Sequence, residues 1–182
     1  MSLLILEATP MKDRANEGLV LDEFLKMTFK RGIVKTEQID CKSDLIDILE
    51  YKRGLKKYKY IHLSGHGKAS KRESFFRCPP TGKMRPKDFP KNCFKGKIVT
   101  FSACELGKNS FVYPFIEVTG AKVVIAPKRE IPFIDAAVWY VNFYFWALHH
   151  KNLPKNAYKK TYFYSDDYTT GAIQYFPPYW EY

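Results

Sequence analysis

Short apolar runs recur along this chain, and segments with the 3.6-residue period of an amphipathic helix lie between them. The runs at residues 3–6, 58–63, 97–102 and 121–126 are mostly apolar at consecutive positions, which is typical of strands buried on both faces. A weaker run covers residues 33–39. Helices are predicted over residues 16–29, from Ser43 onward, and over residues 109–118, 134–149 and 154–164. Strands alternating with helices predict an α/β domain with a mostly parallel sheet.

The positive charge of the chain is concentrated in one quarter of its length. The 182 residues carry a formal net charge of +11, and residues 52–97 hold fifteen of the thirty basic residues but two of the nineteen acidic ones. A local basic surface is therefore favoured over a chain that coats nucleic acid along its whole length. Within this segment, residues 68–96 are rich in Lys, Arg and Pro, and we predict a long loop there.

Length and composition suit one domain over residues 1–182, which ends in an aromatic tail at residues 162–182. The first residues lack the basic segment and the long apolar run of a secretory signal. The longest apolar stretch, residues 136–148, is interrupted by Asn142 and is shorter than the roughly 20 residues that span a bilayer. We therefore expect a cytoplasmic protein, no membrane contact, and four cysteines that stay reduced.

His66 and Cys104 each follow a predicted buried strand, and in parallel sheets binding sites form beyond the carboxyl ends of the strands. A thiol just before a helix is favoured as the thiolate by the helix dipole. His66 would take the thiol proton and return it to a leaving amine. The backbone N–H groups of Gly67 and Cys104 would donate to an oxyanion. Together these residues predict acyl transfer by a cysteine nucleophile.

Spacing alone leaves other interpretations open. A buried, inert cysteine and an ordinary surface histidine would give the same pattern. Zinc ligation by Cys78, Cys93, Cys104 and His66 is disfavoured because the chain has no Cys-x-x-Cys pair. Nucleotide hydrolysis has no support because the chain has no Gly-rich phosphate loop. We expect no metal and no cofactor.

Three segments in this order resemble the caspase-like cysteine peptidases, and in particular their CHAT branch: YIHLSGHGK, KIVTFSACELGK and TGAKVVIAPKREIPFIDAAVWYVNFYFWAL. The resemblance covers about residues 59–148. It implies a caspase–haemoglobinase-like three-layer sandwich with helices on both faces of the sheet. It also implies a cysteine endopeptidase in which His66 and Cys104 cleave a protein partner through a thioester. Small members of this group suggest an effector in a bacterial defence or cell-death system.

The resemblance also bears on substrate preference. In separase-like relatives, an acidic residue after the strand that follows the Cys strand receives a basic P1 side chain, and the matching position here is Asp135. An ordinary N-cap is the alternative role for Asp135. In true caspases an arginine after the first strand receives a P1 aspartate, and Arg14 lies in that region. We expect Asp135 to decide the preference, which favours cleavage after Lys or Arg.

The expected partners are a protein substrate and a separate activator or regulator protein, because no repeat, sensor or adaptor segment accompanies the motifs. The alternative is a catalytically idle caspase-fold module that binds a protein partner through the basic segment 68–96 and the aromatic tail. Nucleic acid is a less favoured partner because the basic residues occur without a nucleic-acid fold motif.

Overall fold

The computed structural model describes residues 2–10, 16–30, 32–163 and 171–177. The strands are β1 (Leu3–Glu7), β2 (Val34–Gln38), β3 (Tyr60–Ser64), β4 (Gly67–Ala69), β5 (Ser74–Cys78), β6 (Gly82–Met84), β7 (Ile98–Ser102), β8 (Val123–Pro127) and β9 (Ile173–Phe176). The α-helices are α1 (Glu17–Thr28), α2 (Lys42–Glu50), α3 (Lys52–Leu55), α4 (Asn109–Thr119), α5 (Phe133–Tyr144) and α6 (Pro154–Phe163). A π-helical turn, Phe145–His149, extends α5.

Six strands form one sheet in the order β2-β1-β3-β7-β8-β9. The first five are parallel to their neighbours, and β9 pairs antiparallel with β8. The prediction of an α/β domain with a mostly parallel sheet is therefore confirmed. Strand β9 comes from the aromatic tail, so this part of the tail completes one edge of the sheet. The tail residues 164–170 and 178–182 lie outside the described residues.

Apolar side chains cover both faces of the central sheet because successive strand residues point to opposite sides. On β1, Leu4 and Leu6 belong to one hydrophobic cluster, which includes residues of α2 and α4. Leu3 and Ile5 belong to a second cluster, which includes residues of α1 and α5. Helices thus pack on both faces of the sheet. Within the described ranges, no helix is long and apolar enough to cross a bilayer.

The basic segment 68–96 is not the irregular loop that its composition predicts. Strands β4, β5 and β6 form a separate antiparallel sheet, and a 3₁₀ turn follows at Pro86–Asp88. Phe76, Cys78 and Met84 are buried beneath this sheet, and the Phe76 ring lies 6.0 Å from that of Phe101. The strands have only three to five residues and carry Lys and Arg at exposed positions, so composition hides their alternation.

Local hydrogen bonds set the helix ends. Asn16 begins α1 because its side-chain oxygen accepts a bond of 3.1 Å from the Leu19 N–H. Gly120 ends α4 with a φ of 68° and an N–H that donates to the Ile116 carbonyl. Helix α2 is capped at Cys41 rather than at Ser43, because the Asp44 carboxylate accepts the Cys41 N–H at 3.0 Å.

Candidate functional site

A cavity of about 220 Å³ lies beyond the carboxyl ends of β1, β3, β7 and β8. Strand β1 lies between β2 and β3, so the chain moves to one side of β1 to form β2 and then to the other side to form β3. Parallel sheets bind ligands at such a point, where the direction of the strand order reverses. The described polar residues that line the cavity are Thr9, Glu17, Ser64, His66, Ser102 and Cys104. Its described apolar lining consists of Ile131, Phe133 and Ala136, with Gly65 beside them.

The structure brings His66 and Cys104 to the same cavity from two adjacent strands. β3 and β7 pair in parallel with Ser64 opposite Ser102, so the two residues follow equivalent positions. His66 is exposed and Cys104 is half-buried. Among the described contacts, the Cys104 thiol and the His66 ring form no direct hydrogen bond.

The sequence predicts that Cys104 lies just before a helix, within reach of the helix dipole, and the structure does not show this arrangement. Helix α4 begins at Asn109, and a turn separates it from Cys104. The dipole effect fades within the first helical turn, so Cys104 lies outside its reach. The difference arises at Glu105, whose φ of 65° turns the backbone away from a helical path.

The turn after Cys104 is fixed on two sides. The Ala69 N–H donates to Glu105 at 3.4 Å, and Lys108 Nζ donates to the Ala69 carbonyl at 3.1 Å. The Glu105–Lys108 ion pair thus occupies the free edge of β4, and the hydrogen bond from Lys108 holds the pKa of Glu105 below its usual value. On the other side, the Gly107 N–H donates to the Pro127 carbonyl at 2.7 Å.

Gly67 lies against the Cys104 turn because it has no side chain. A Cβ at this position would stand 2.6 Å from the Cys104 carbonyl oxygen and 2.6 Å from Leu106 Cγ. Residues on either side of Gly67 direct their polar groups to β5: the Arg77 N–H donates to the His66 carbonyl. Since antiparallel pairs alternate, the Gly67 N–H is directed to the free edge of β4, on the Cys104 side.

A buried polar network lies beneath the cavity and centres on His62. Its Nδ1 is 2.7 Å from Thr100 Oγ1 and 3.1 Å from the Tyr144 hydroxyl. Its Nε2 is 3.1 Å from Ser102 Oγ and 3.4 Å from Glu17 Oε2. His62 is fully buried, as is typical of a strand residue that packs in the core. The network links the cavity lining to the core.

Glu17 is the member of this lining that sequence reasoning missed. It is the first residue of α1 and is 3% exposed. Its Oε1 is buried and has no hydrogen-bond partner among the described residues. The only local sequence signal is an acidic residue in a first helical turn, where the helix dipole favours acids generally. Its place in the cavity depends on the α1–β3 packing, which the local sequence does not encode.

Of the two predicted specificity residues the structure describes Asp135, and Asp135 does not line this cavity. Asp135 lies in the first turn of α5 and is half-buried, but Phe133 and Ala136 of that turn line the cavity and Asp135 does not. The residue that caps α5 is Pro132, so Asp135 is not the N-cap either. Its carboxylate still lies in the first turn of a helix, where the helix dipole stabilises a negative charge. Arg14 lies outside the described residues.

The remaining cysteines provide internal references for Cys104. Cys41 is half-buried, Cys78 and Cys93 are buried, and none of the four cysteines forms a disulfide within the described residues. Burial raises the pKa of Cys78 to about 12. Over the described ranges, no group of three or more His, Cys, Asp or Glu side chains is placed to hold a metal ion.

A scan against protein-family models gives no match, and a search of curated proteins finds no significantly similar sequence. The resemblance to caspase-like peptidases therefore depends on the motifs around His66 and Cys104.

Proposed function

We propose that this protein is a cysteine endopeptidase of the caspase/CHAT type that cleaves a protein partner. The observation that carries the proposal is that His66 and Cys104 follow paired positions of adjacent parallel strands and line one cavity. The proposal includes a caspase–haemoglobinase-like fold, which the six-stranded sheet with helices on both faces supports. It also includes the role in bacterial defence or cell death that the resemblance implies.

In the proposed reaction, Cys104 Sγ attacks the carbonyl carbon of the scissile peptide while the thiol proton passes to the His66 ring. The N–H groups of Gly67 and Cys104 stabilise the oxyanion. The C–N bond then breaks, His66 gives its proton to the leaving amine, and a thioester remains on Cys104. Water attacks the thioester and transfers a proton to His66, which returns it to the departing thiolate of Cys104.

We expect iodoacetamide to modify Cys104 below neutral pH, where an ordinary thiol with a pKa near 8.5 is protonated. At pH 6.5 the reaction at Cys104 should be at least about tenfold faster than at Cys41, because a paired histidine favours the thiolate. His66→Ala should bring Cys104 down to the rate of Cys41. The rates are measured by mass spectrometry of the intact, folded protein over a pH series.

A surface histidine provides the matched control. His150 is exposed and does not line the cavity, so His150→Ala should leave the Cys104 rate unchanged. If Cys104 and Cys41 of the wild-type protein react equally at every pH, the resting protein holds no activated nucleophile and the proposal fails in this form.

A catalytically idle binding module is the second candidate, and one observation favours it. A surface groove of about 320 Å³ on the smaller sheet is lined by Lys71, Arg72, Arg85 and Lys87, with Glu73 as its only described acid. Such a surface suits an acidic segment of a protein partner. Equal alkylation of Cys104 and Cys41 would favour this candidate. Retention on RNA or DNA that falls steeply with salt would instead indicate a nucleic-acid partner.

A further inference from the structure

Glu17, which lines the cavity together with His66 and Cys104, carries a buried carboxylate whose bonding is incomplete. Glu17 Oε2 lies 3.4 Å from His62 Nε2, whereas Oε1 has no described partner although the side chain is 4% exposed. Polar atoms that are buried in a folded protein nearly always have a hydrogen-bond partner, and each exception calls for an explanation, such as a catalytic role or a bound water or ion. A ligand that donates to Oε1 would complete the bonding of this group.

The rest of the cavity suits a cation on an apolar stem. Among the described residues that line it, none is Lys or Arg, so no side chain of the lining neutralises Glu17. Ile131, Phe133 and Ala136 supply an apolar wall. Lys and Arg side chains combine an aliphatic stem with a charged end that donates hydrogen bonds, and they bury the stem while the end is paired.

We infer that Glu17 is the specificity-determining residue of the site and that the cavity receives a Lys or Arg side chain of the substrate next to the bond that Cys104 attacks. The statement that the bound Lys or Arg belongs to a peptide substrate rests on the proposed peptidase function. It moves the preference for a basic residue from Asp135, which does not line the cavity, to an acid at the start of α1.

The position of Glu17 is held by contacts that do not need the substrate. Glu7, which is fully buried at the end of β1, accepts the Thr9 N–H at 2.6 Å and the Gly18 N–H at 2.7 Å. These bonds fix the start of α1 against the sheet. The carboxylate is therefore presented by a rigid element, as a specificity residue requires.

Two small probes test the inference directly: butylguanidine, which is cationic, and butylurea, which has nearly the same shape and no charge. Alkylation of Cys104 by iodoacetamide is measured at pH 9, where ordinary thiols are largely ionised, so that the assay does not require an activated nucleophile. We expect butylguanidine to slow alkylation of Cys104 but not of Cys41. Butylurea should have little effect on either.

Substitutions of Glu17 and Asp135 identify which carboxylate binds the cationic probe. Glu17→Gln keeps the size of the side chain and should raise the butylguanidine concentration for half-protection by about tenfold, since a charge-assisted hydrogen bond is lost. Asp135→Asn should leave the protection unchanged. Equal protection by both probes, absence of protection, or loss of protection in Asp135→Asn would overturn the inference, and the wild-type comparison decides even if Glu17→Gln fails to fold.

The same protein then separates failure of the inference from failure of the proposed function. Protection by butylguanidine with no fast alkylation at pH 6.5 would support the cation site and contradict the peptidase. Fast alkylation at pH 6.5 without charge-dependent protection would support the peptidase and contradict the role of Glu17.

Discussion

Between pH 8 and pH 11 the free energy of unfolding is expected to fall by about 7 kcal/mol. Five side chains cause the loss: Tyr140, Tyr144, Tyr60 and Cys78, which are fully buried, and Tyr158, which is half-buried and whose pKa burial raises to about 12. Burial raises the pKa of Tyr140 and Tyr144 well above 10 and that of Tyr60 and Cys78 to about 12. All five groups stay neutral in the folded protein at a pH where the unfolded chain ionises them.

The sign follows from these raised pKa values. The stability is fully present below the pKa values of the unfolded chain, and it is lost as the pH rises toward those of the folded protein. At pH 11 the loss is on the order of 1 kcal/mol for each of the four tyrosines and about 3 kcal/mol for the thiol. A total of that size is comparable with the whole stability of a typical domain. Urea unfolding followed by circular dichroism at pH 8, 10 and 11 measures it, and a constant midpoint would contradict the expectation.

Two tyrosine variants compare a buried hydroxyl that lacks a described hydrogen-bond partner with a hydroxyl that has one. The Tyr60 hydroxyl is buried and has no described partner, so Tyr60→Phe should stabilise the protein at neutral pH by about 1 kcal/mol and reduce the loss at pH 11 by a similar amount. The Tyr158 hydroxyl donates to the Ile173 carbonyl at 2.9 Å. Tyr158→Phe should therefore destabilise the protein at neutral pH by about 1 kcal/mol.

The parts of the fold that sequence predicts are those with strong local patterns. A few consecutive residues are enough to predict β8, from its apolar run, and the end of α4, from its capping glycine. The α/β alternation follows from such elements. The location of His66 and Cys104 at one cavity was also predictable, because parallel strands bring their carboxyl ends to one edge.

What sequence does not predict depends on contacts between distant segments. The pairing of β4, β5 and β6 is specified by the burial of Phe76 against Phe101, which belongs to another sheet. Glu17 enters the cavity because α1 packs beside β3, and Asp135 misses it because its neighbours Phe133 and Ala136 occupy the cavity side of α5. A one-dimensional pattern carries no information on which face of a helix borders a cavity at a sheet end.

Gly67→Ala is expected to displace the turn that carries Cys104 and thereby disrupt the candidate site. The new Cβ would stand 2.6 Å from the Cys104 carbonyl oxygen, well inside van der Waals contact. That carbonyl belongs to backbone that cannot rotate away, because the Glu105–Lys108 pair ties the turn to Ala69. The turn must therefore move as a unit, and Cys104 moves with it.

The expected cost of Gly67→Ala is about 1–3 kcal/mol of stability, as for other overpacked positions. Movement of Cys104 away from His66 removes the imidazole that is proposed to favour the thiolate, so the advantage of Cys104 over Cys41 at pH 6.5 should disappear. Gly171→Ala is the matched control, because its Cβ would meet only Arg129 Nη2 at 3.8 Å. Melting temperature and alkylation rate are measured on both variants. If Gly67→Ala behaves like the control in both measurements, the turn that carries Cys104 is not held against β4, and the rigid oxyanion site proposed for Gly67 and Cys104 does not exist.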